Sequence, residues 1–358
     1  MFKKDLHLLC CPRTGESLRL NSVSQSDVDG EILEGELVNS STGHIYPISN
    51  GIPRFNLDKE YNQTWDYKWT QIDGGKGINY RLIDKSDPSY TDQNIYDLNK
   101  HDGKAFEHAR GRVVLDLGCG IGQYSYLTLE DYDPSILVAV DLTRGVDIFR
   151  KIMLERFPQH KAKILFVQAS VFEMPFRDQT FDYVYSVGVL HHTGNTREAI
   201  KQAARVTKYG GQLNFWVYST ESIPFSAREP GRKGKRSWAL WLWLFLRYLS
   251  IKIWMTAFRK MPHDWAVAIV RFFSSNFWYT ICRIPLISIP ARLFFSSGKN
   301  SDFDYRFINN YDGYINAWDE TWDEAEIFPT LRQAHIAIQG ISEWRLGIWG
   351  IKLKDFYI

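Results

Sequence analysis

The chain has 358 residues, 44% of them hydrophobic and 23% charged, which suits one large or two smaller folded domains and excludes a disordered or fibrous chain. Its formal net charge is +2, so no global field draws it to nucleic acid, and none is expected as a partner. Four cysteines, at 10, 11, 119 and 282, form no disulfide framework, and Met1-Phe2-Lys3-Lys4-Asp5 opens no apolar secretory segment; a reducing cytoplasm is the expected compartment.

Residues 1–57 read as a small β-rich module. Leu8-Leu9-Cys10-Cys11-Pro12-Arg13-Thr14-Gly15 opens it, and Gly43-His44-Ile45-Tyr46-Pro47 followed by Gly51-Ile52-Pro53-Arg54-Phe55 closes it. Its short strands and turns resemble a Trm112 or zinc-ribbon module. In metal-binding members two C-x-x-C pairs hold zinc tetrahedrally; the matching positions here are Cys11, Thr14, Asn39 and Thr42. Three of the four lack a thiolate, so no metal is expected.

Residues 58–104 form an aromatic linker containing Tyr61-Asn62-Gln63-Thr64-Trp65-Asp66-Tyr67-Lys68-Trp69. Either it folds over a ligand, with Tyr67 or Trp69 against it, or it is a helix packing its rings on a sheet.

The core, residues 105–220, starts from Val113-Val114-Leu115-Asp116-Leu117-Gly118-Cys119-Gly120-Ile121-Gly122. A buried β-branched run breaks there into a glycine turn with no Cβ between backbone and ligand. Leu137–Asp141 is a second strand ending in a carboxylate 25 residues after Asp116, near the offset of a ribose-binding acid. Ile164–Ser170 reads as a third strand, Met174-Pro175-Phe176 as a turn, and Phe181–Ser186 as a fourth strand running into Val187-Gly188-Val189-Leu190-His191-His192. Gly210-Gly211 then precedes a fifth, Gln212–Tyr218.

These signals, in this order, resemble the class I S-adenosylmethionine-dependent methyltransferases. A nicotinamide-dependent dehydrogenase would want G-x-G-x-x-G, whereas this chain has G-x-G-x-G. The resemblance implies an α/β fold: a Rossmann-like seven-stranded sheet with helices on both faces, here with the N-terminal β-module and a helical insertion added. It implies S-adenosylmethionine as cofactor. The turn of Gly118, Cys119, Gly120 and Gly122 would lie against its methionine and ribose through backbone groups, with Asp116 orienting the turn and Asp141 taking the ribose. Leu142, Ser170 and Val171 would face the adenine, Ser170 standing where many members have Asp, and Ser186 and Val187 would complete the pocket. His191 and His192 are the candidate bases, since imidazole takes a proton near neutral pH; equally, the pair is a structural corner.

Residues 221–310 leave the common core. Arg228, Arg232, Lys233, Lys235 and Arg236 precede Trp238–Leu246, and further Arg and Lys interrupt every apolar run before it reaches the length of a spanning helix. Either the insertion is a lid over an apolar acceptor pocket, or residues 232–298 touch a membrane surface, at the inner face of the membrane, with the chain peripheral to it. Residues 311–358 return to the fold with a capped helix at about residue 323 and a closing hairpin at Ile336–Ile338 and Trp349–Leu353. Tyr311, Tyr314, Trp318 and Asp319 would suit the face of a sugar. The expected function is methyl transfer to a small-molecule or glycan-type hydroxyl, lipid-linked or not. Quinone or lipid-headgroup methylation, and a cofactor-binding scaffold that activates a partner, are the alternatives. Acceptor identity and oligomeric state are not legible.

Overall fold

The computed structural model describes residues 1–55, 63–73, 105–219, 238–295, 302–315, 320–342 and 346–354. The basic stretch 228–236, Trp318, Asp319 and most of the linker lie outside the described residues.

The first 55 residues fold as an antiparallel sheet in sequence order, β1 (Leu18–Ser26), β2 (Ile32–Asn39), β3 (Ile45–Ser49) and β4 (Ile52–Pro53). Leu9, Leu37, Ile48 and Ile52 are fully buried beneath it. The module is fastened to the large sheet by backbone and by charge. Phe55 N donates to Gln168 O at 2.9 Å and Cys10 N to Pro175 O at 2.8 Å. Arg150 of the core reaches Glu31 at 2.8 Å, with both side chains almost wholly buried.

Helix α1 (Gln63–Asp73) follows, and then the large sheet: β5 (Val113–Leu117), β6 (Ile136–Asp141), β7 (Ile164–Gln168), β8 (Phe181–Val187), β9 (Thr207–Ser219), β11 (Ile336–Ile341) and β12 (Leu346–Lys352). Its order is β11-β12-β9-β8-β5-β6-β7, and the two-residue β10 (Thr321–Trp322) pairs with the end of β9. β5 to β9 run parallel to one another, while β12 pairs antiparallel with β9 and β11 with β12 to close the sheet. Strands β5 to β7 are near-continuous buried apolar runs, as a sheet covered on both faces requires. The covering helices are α2 (Gln123–Tyr132), α3 (Gly145–Arg156), α4 (Thr196–Val206) and, near the closing hairpin, α10 (Glu324–Gln333). The sheet is thus the expected Rossmann-like one. β9 starts earlier than the apolar pattern suggested: Thr207 already pairs with Phe181, and a bulge containing Gly210, at φ +75°, shifts the register before Gln212 pairs with Tyr183. α10 begins with a reciprocal cap, Asp323 Oδ1 accepting from Glu326 N at 2.9 Å and Glu326 Oε2 from Asp323 N at 3.0 Å, an arrangement that contributes about 1 kcal/mol.

The insertion is helical: α5 (Trp238–Lys260), α6 (His263–Ser274), α7 (Asn276–Ile281), α8 (Ser288–Phe294) and α9 (Phe303–Ile315). Arg306 on α9, 1% exposed, donates to Ser274 O at 2.9 Å and Asn276 Oδ1 at 2.7 Å, tying α9 to the end of α6. No helix of the described residues is long and apolar enough to cross a membrane.

Candidate functional site

A cavity of about 670 Å³ opens at the carboxyl ends of β5, β6, β7 and β8, the position at which open α/β sheets bind ligands. The residues after those strands make one wall, and α1 makes the roof.

The glycine turn between β5 and α2 is fixed by close approach. Gly118 sits at φ +85°, and a Cβ there would lie 2.4 Å from Val189 Cγ1. Gly122, at φ +83°, would drive a Cβ to within 1.9 Å of the buried Phe149 ring. Both positions therefore need glycine on conformation and on space. The amides of the turn are used inside the protein: Gly118 N and Cys119 N donate to Val140 O, Gly122 N to Cys119 O, and Gly120 N to Asp141 Oδ2 at 2.7 Å. These four donors are thus spent inside the protein, so binding by the backbone of the turn would fall to its carbonyl oxygens and remaining amides. Burial raises the Cys119 thiol well above its ordinary range, which leaves it a neutral wall atom.

Asp141 ends β6 on the cavity wall. Its Oδ1 accepts from Thr143 N at 2.8 Å and Thr143 Oγ1 at 2.6 Å, its Oδ2 from Gly120 N. A carboxylate offers about four lone-pair positions, so one remains, on Oδ2. A single ligand hydroxyl could donate to it; a second would have to displace the Thr143 hydroxyl. Leu142, Ser170 and Val171 also line the cavity, with Phe172 beside them. Ser170 Oγ accepts from Phe172 N at 3.2 Å, which leaves its own O–H as donor. The N-terminal module reaches this wall: Arg54 donates to Gln168 Oε1 at 2.6 Å, and Gln168 Nε2 donates to Leu142 O at 3.0 Å.

Asp116 and Ser186 lie behind the wall. Asp116 is 3% exposed, its Oδ2 accepting from Ser125 Oγ at 2.6 Å and Tyr185 OH at 3.0 Å. Ser186 Oγ donates to Leu117 O at 2.7 Å, so it braces adjacent strand ends, while Val187 lines the cavity. Burial pushes the Asp116 carboxyl from 3.8 up to about 7, against hydrogen bonds from Ser125 and Tyr185 that lower it. The folded chain then holds a proton between about pH 4 and pH 7 that the unfolded chain has released. Stability accordingly falls as pH rises through that window, by at most about 1.4 kcal/mol per unit from this group. Urea unfolding at the two ends of the window should show wild type losing more stability than Asp116→Asn; parallel losses would remove Asp116 as the source.

The other end of the cavity is aromatic. Trp65, Lys68 and Trp69 on α1 face Trp216 and Tyr218 at the end of β9, with His192 and Thr193 between. Trp65 packs edge-on to His192 at 5.1 Å between ring centroids and stacks on Trp69 at 6.0 Å. Lys68 Nζ lies 4.5 Å from the Trp65 ring centroid. His191, by contrast, is fully buried, its ring against His192 at 3.9 Å and Tyr218 at 4.0 Å, and it does not line the cavity. The spacing of 65, 68 and 69 is one face of a helix, a signal that would have picked out Trp65 and Lys68. Trp216 and Tyr218 alternate on one face of a strand in the same way.

Tyr67 sits on another face of α1, away from the cavity. It stacks on Tyr311 at 5.2 Å and receives a hydrogen bond from Arg271 at 3.1 Å. Tyr311 OH donates to Thr64 O at 2.9 Å, and Tyr314 stacks on Phe295 at 4.2 Å. Tyr311 and Tyr314 are thus buried among the helices rather than lining the cavity, and Tyr311 ties α9 to α1. In the N-terminal module the four zinc-ligand positions lie together. Asn39 Nδ2 donates to Thr14 Oγ1 at 2.9 Å, Thr42 N to Asn39 Oδ1 at 3.0 Å, and Cys11 Sγ shares a hydrogen bond with Tyr46 OH at 3.2 Å. Among the described residues there is no group of three or more His, Cys, Asp or Glu placed to hold a metal.

Residues 115–215 match the family model of the methyltransferase domain, and residues 3–51 that of the Trm112p-like protein. An uncharacterized protein of Methanocaldococcus jannaschii is 32% identical over 120 residues, 34% of this chain and 47% of that one. The erythromycin 3''-O-methyltransferase of Saccharopolyspora erythraea is 34% identical over 129 residues, 35% and 40% of the two chains. The Bos taurus protein named "Probable tRNA methyltransferase 9B" is 31% identical over 124 residues, 32% and 23%. The matched region spans less than half the length of each of these curated relatives.

Proposed function

We propose that this chain, which belongs to the methyltransferase domain family over residues 115–215 and to the Trm112p-like family over residues 3–51, transfers the methyl group of S-adenosylmethionine to a hydroxyl of a small-molecule or glycan-type acceptor. The observation that carries this reading is one cavity that joins Asp141 and the glycine turn to His192 among aromatic rings. Its volume of about 670 Å³ lies within the range of sites for cofactor-sized ligands, and Gly118, Cys119 and Gly120 line it. These features fit the cofactor.

Asp141 would hold a ribose hydroxyl on Oδ2; Leu142, Ser170, Val171 and Phe172 would enclose the adenine; Gly118, Cys119 and Gly120 would back the methionine. Bound there, the cofactor supplies an electrophilic methyl on a sulfonium. The protein aligns and dries the reactants: Trp65 and Trp69 exclude water from above, and Trp216 and Tyr218 give the acceptor flat apolar faces. His192, on the cavity wall, takes the proton of the acceptor hydroxyl on an imidazole nitrogen. Buried His191 positions the His192 ring. Support for an oxygen acceptor comes from the Saccharopolyspora relative's name. A tRNA acceptor, as the bovine relative's name suggests, would call for a basic field that a net charge of +2 does not supply.

His192→Ala should lower kcat by about 10²-fold with little change in cofactor affinity, the usual contribution of a positioned base. Turnover is followed as labelled methyl transfer, and affinity by calorimetry. Full turnover in this variant would remove the base role.

A further inference from the structure

The insertion buries part of its apolar side chains and presents others to the outside. On α5 (Trp238–Lys260), Leu242, Phe245, Leu246, Leu249 and Ile253 fall on one helical face, and that face is the exposed one, from 40% at Leu246 to 59% at Ile253. Met255 and Phe258, near the carboxyl end of the same helix, are buried against the body of the protein. A helix that only covered a pocket would bury its apolar stripe and expose polar groups; here the N-terminal half is reversed. The surface continues across neighbouring helices. Ser250 Oγ and Trp254 Nε1 both donate to Phe294 O, at 2.9 and 2.8 Å, which sets α8 (Ser288–Phe294) beside α5. The exposed Phe294 ring lies 6.3 Å from Trp278, and Trp278 lies 6.3 Å from Phe272, which is 6.3 Å from Phe277. Ile289 and Leu286 stand out from the same segment, Leu286 at 93% exposure. So large an exposed apolar surface marks an interaction site.

Charge says what covers it. Residues 238–295 contain seven lysines and arginines and one acid, Asp264, in a chain whose net charge is only +2. Lys252 and Thr256 interleave with Ile253 on the exposed face, and Arg259, Lys260, Arg283 and Arg292 are exposed around it. A second copy of the chain would bring like charges together across a self-complementary contact. An anionic lipid surface instead takes apolar rings and side chains at its boundary and cations at its headgroups. No described helix can span a bilayer, while α5, about 35 Å long at 1.5 Å per residue, can lie along one.

We propose that the exposed face of α5, α7 and α8 docks the protein in the plane of an anionic phospholipid bilayer. Docked there, the insertion also carries α1, since Arg271 Nη2 donates to Tyr67 OH and Tyr311 OH to Thr64 O; the roof of the cavity and the membrane-facing helices are one packed unit. This inference concerns the surface alone and stands whether or not the proposed reaction is right.

Flotation of the whole chain with vesicles tests it. The protein should float with phosphatidylcholine containing about a third phosphatidylglycerol and far less with phosphatidylcholine alone. The triple variant Leu246→Ser, Leu249→Ser, Ile253→Ser, at exposed positions that leave the fold intact, should bind the anionic vesicles at least about tenfold more weakly. Lys252→Glu with Lys260→Glu should abolish the preference for anionic lipid. Wild type left behind with anionic vesicles, a triple variant that floats like wild type, or a stable dimer by light scattering that the triple variant alone loses, would each overturn the proposal.

Discussion

Asp141→Ala should weaken S-adenosylmethionine binding by two to three orders of magnitude, about 3–4 kcal/mol, and methyl transfer with it. Two losses combine. On the proposed placement the ribose loses a charge-assisted hydrogen bond, which stabilises by about 1.5–3 kcal/mol. The carboxylate also holds three groups of the protein, Gly120 N, Thr143 N and Thr143 Oγ1, so its removal frees the glycine turn from the β6 end. Asp141→Asn discriminates the two, because its carbonyl oxygen can keep one of these bonds while the charge is gone; it should lie between wild type and alanine. Calorimetric titration with the cofactor reads both variants. Binding within a few-fold of wild type for Asp141→Ala would detach the carboxylate from the ribose. Burial raises the Asp141 carboxyl above its ordinary range, against hydrogen bonds from Thr143 and Gly120 that lower it, so affinity should fall as pH drops and the acid takes up its proton.

The second large effect concerns the N-terminal module. Arg150→Met should destabilise the protein by about 2 kcal/mol, because it removes a charged hydrogen-bond partner from the Glu31 carboxylate in a dry contact between module and core, while the Met1 ammonium at 2.9 Å still pairs with it. The pair is 2.8 Å apart with side chains only 4% and 6% exposed, and the Met1 ammonium at 2.9 Å and Lys161 at 3.7 Å keep Glu31 partly compensated when Arg150 is gone. The loss should be local as well as global. Amide exchange in β2 and β4, whose residues pack beside Glu31 and Gly51, should accelerate before exchange in β5 and β6 does. A thermal midpoint unchanged from wild type, with unchanged exchange in the module, would show that the buried pair carries no docking energy.

Much of the fold was legible because parallel sheets write themselves plainly. Val113–Leu117, Leu137–Asp141 and Ile164–Gln168 are buried on both faces, so their apolar runs stand out from everything around them. The glycine turn was legible for a related reason: three positive-φ positions within five residues have few explanations other than close packing or a ligand. The division of labour between neighbours was not. His191 and His192 are adjacent in sequence, yet the 3₁₀ turn over Leu190–His192 sends one ring into the core and the other to the cavity, and no pattern of residue types predicts which. The aromatic linker hid its geometry in plain letters. Trp65, Lys68 and Trp69 share one helical face and Tyr67 another, so the ring expected at the ligand, Tyr67, belongs to the insertion's packing. The N-terminal half of α5 was ambiguous for the opposite reason: an apolar helix with cations reads alike whether its greasy face turns in or out, and only side-chain exposure separates the two.

The most direct test of the proposed reaction uses radiolabelled methyl. S-adenosylmethionine labelled on the methyl group is incubated with the protein and an extract of host cells lacking it, then partitioned into organic, small-molecule, polysaccharide and RNA fractions. Label in the small-molecule, polysaccharide or organic fraction, present with wild type and absent with Asp141→Ala, is the predicted result. Label confined to RNA, or no label above the variant in any fraction, would contradict hydroxyl methylation of a small-molecule or glycan-type acceptor.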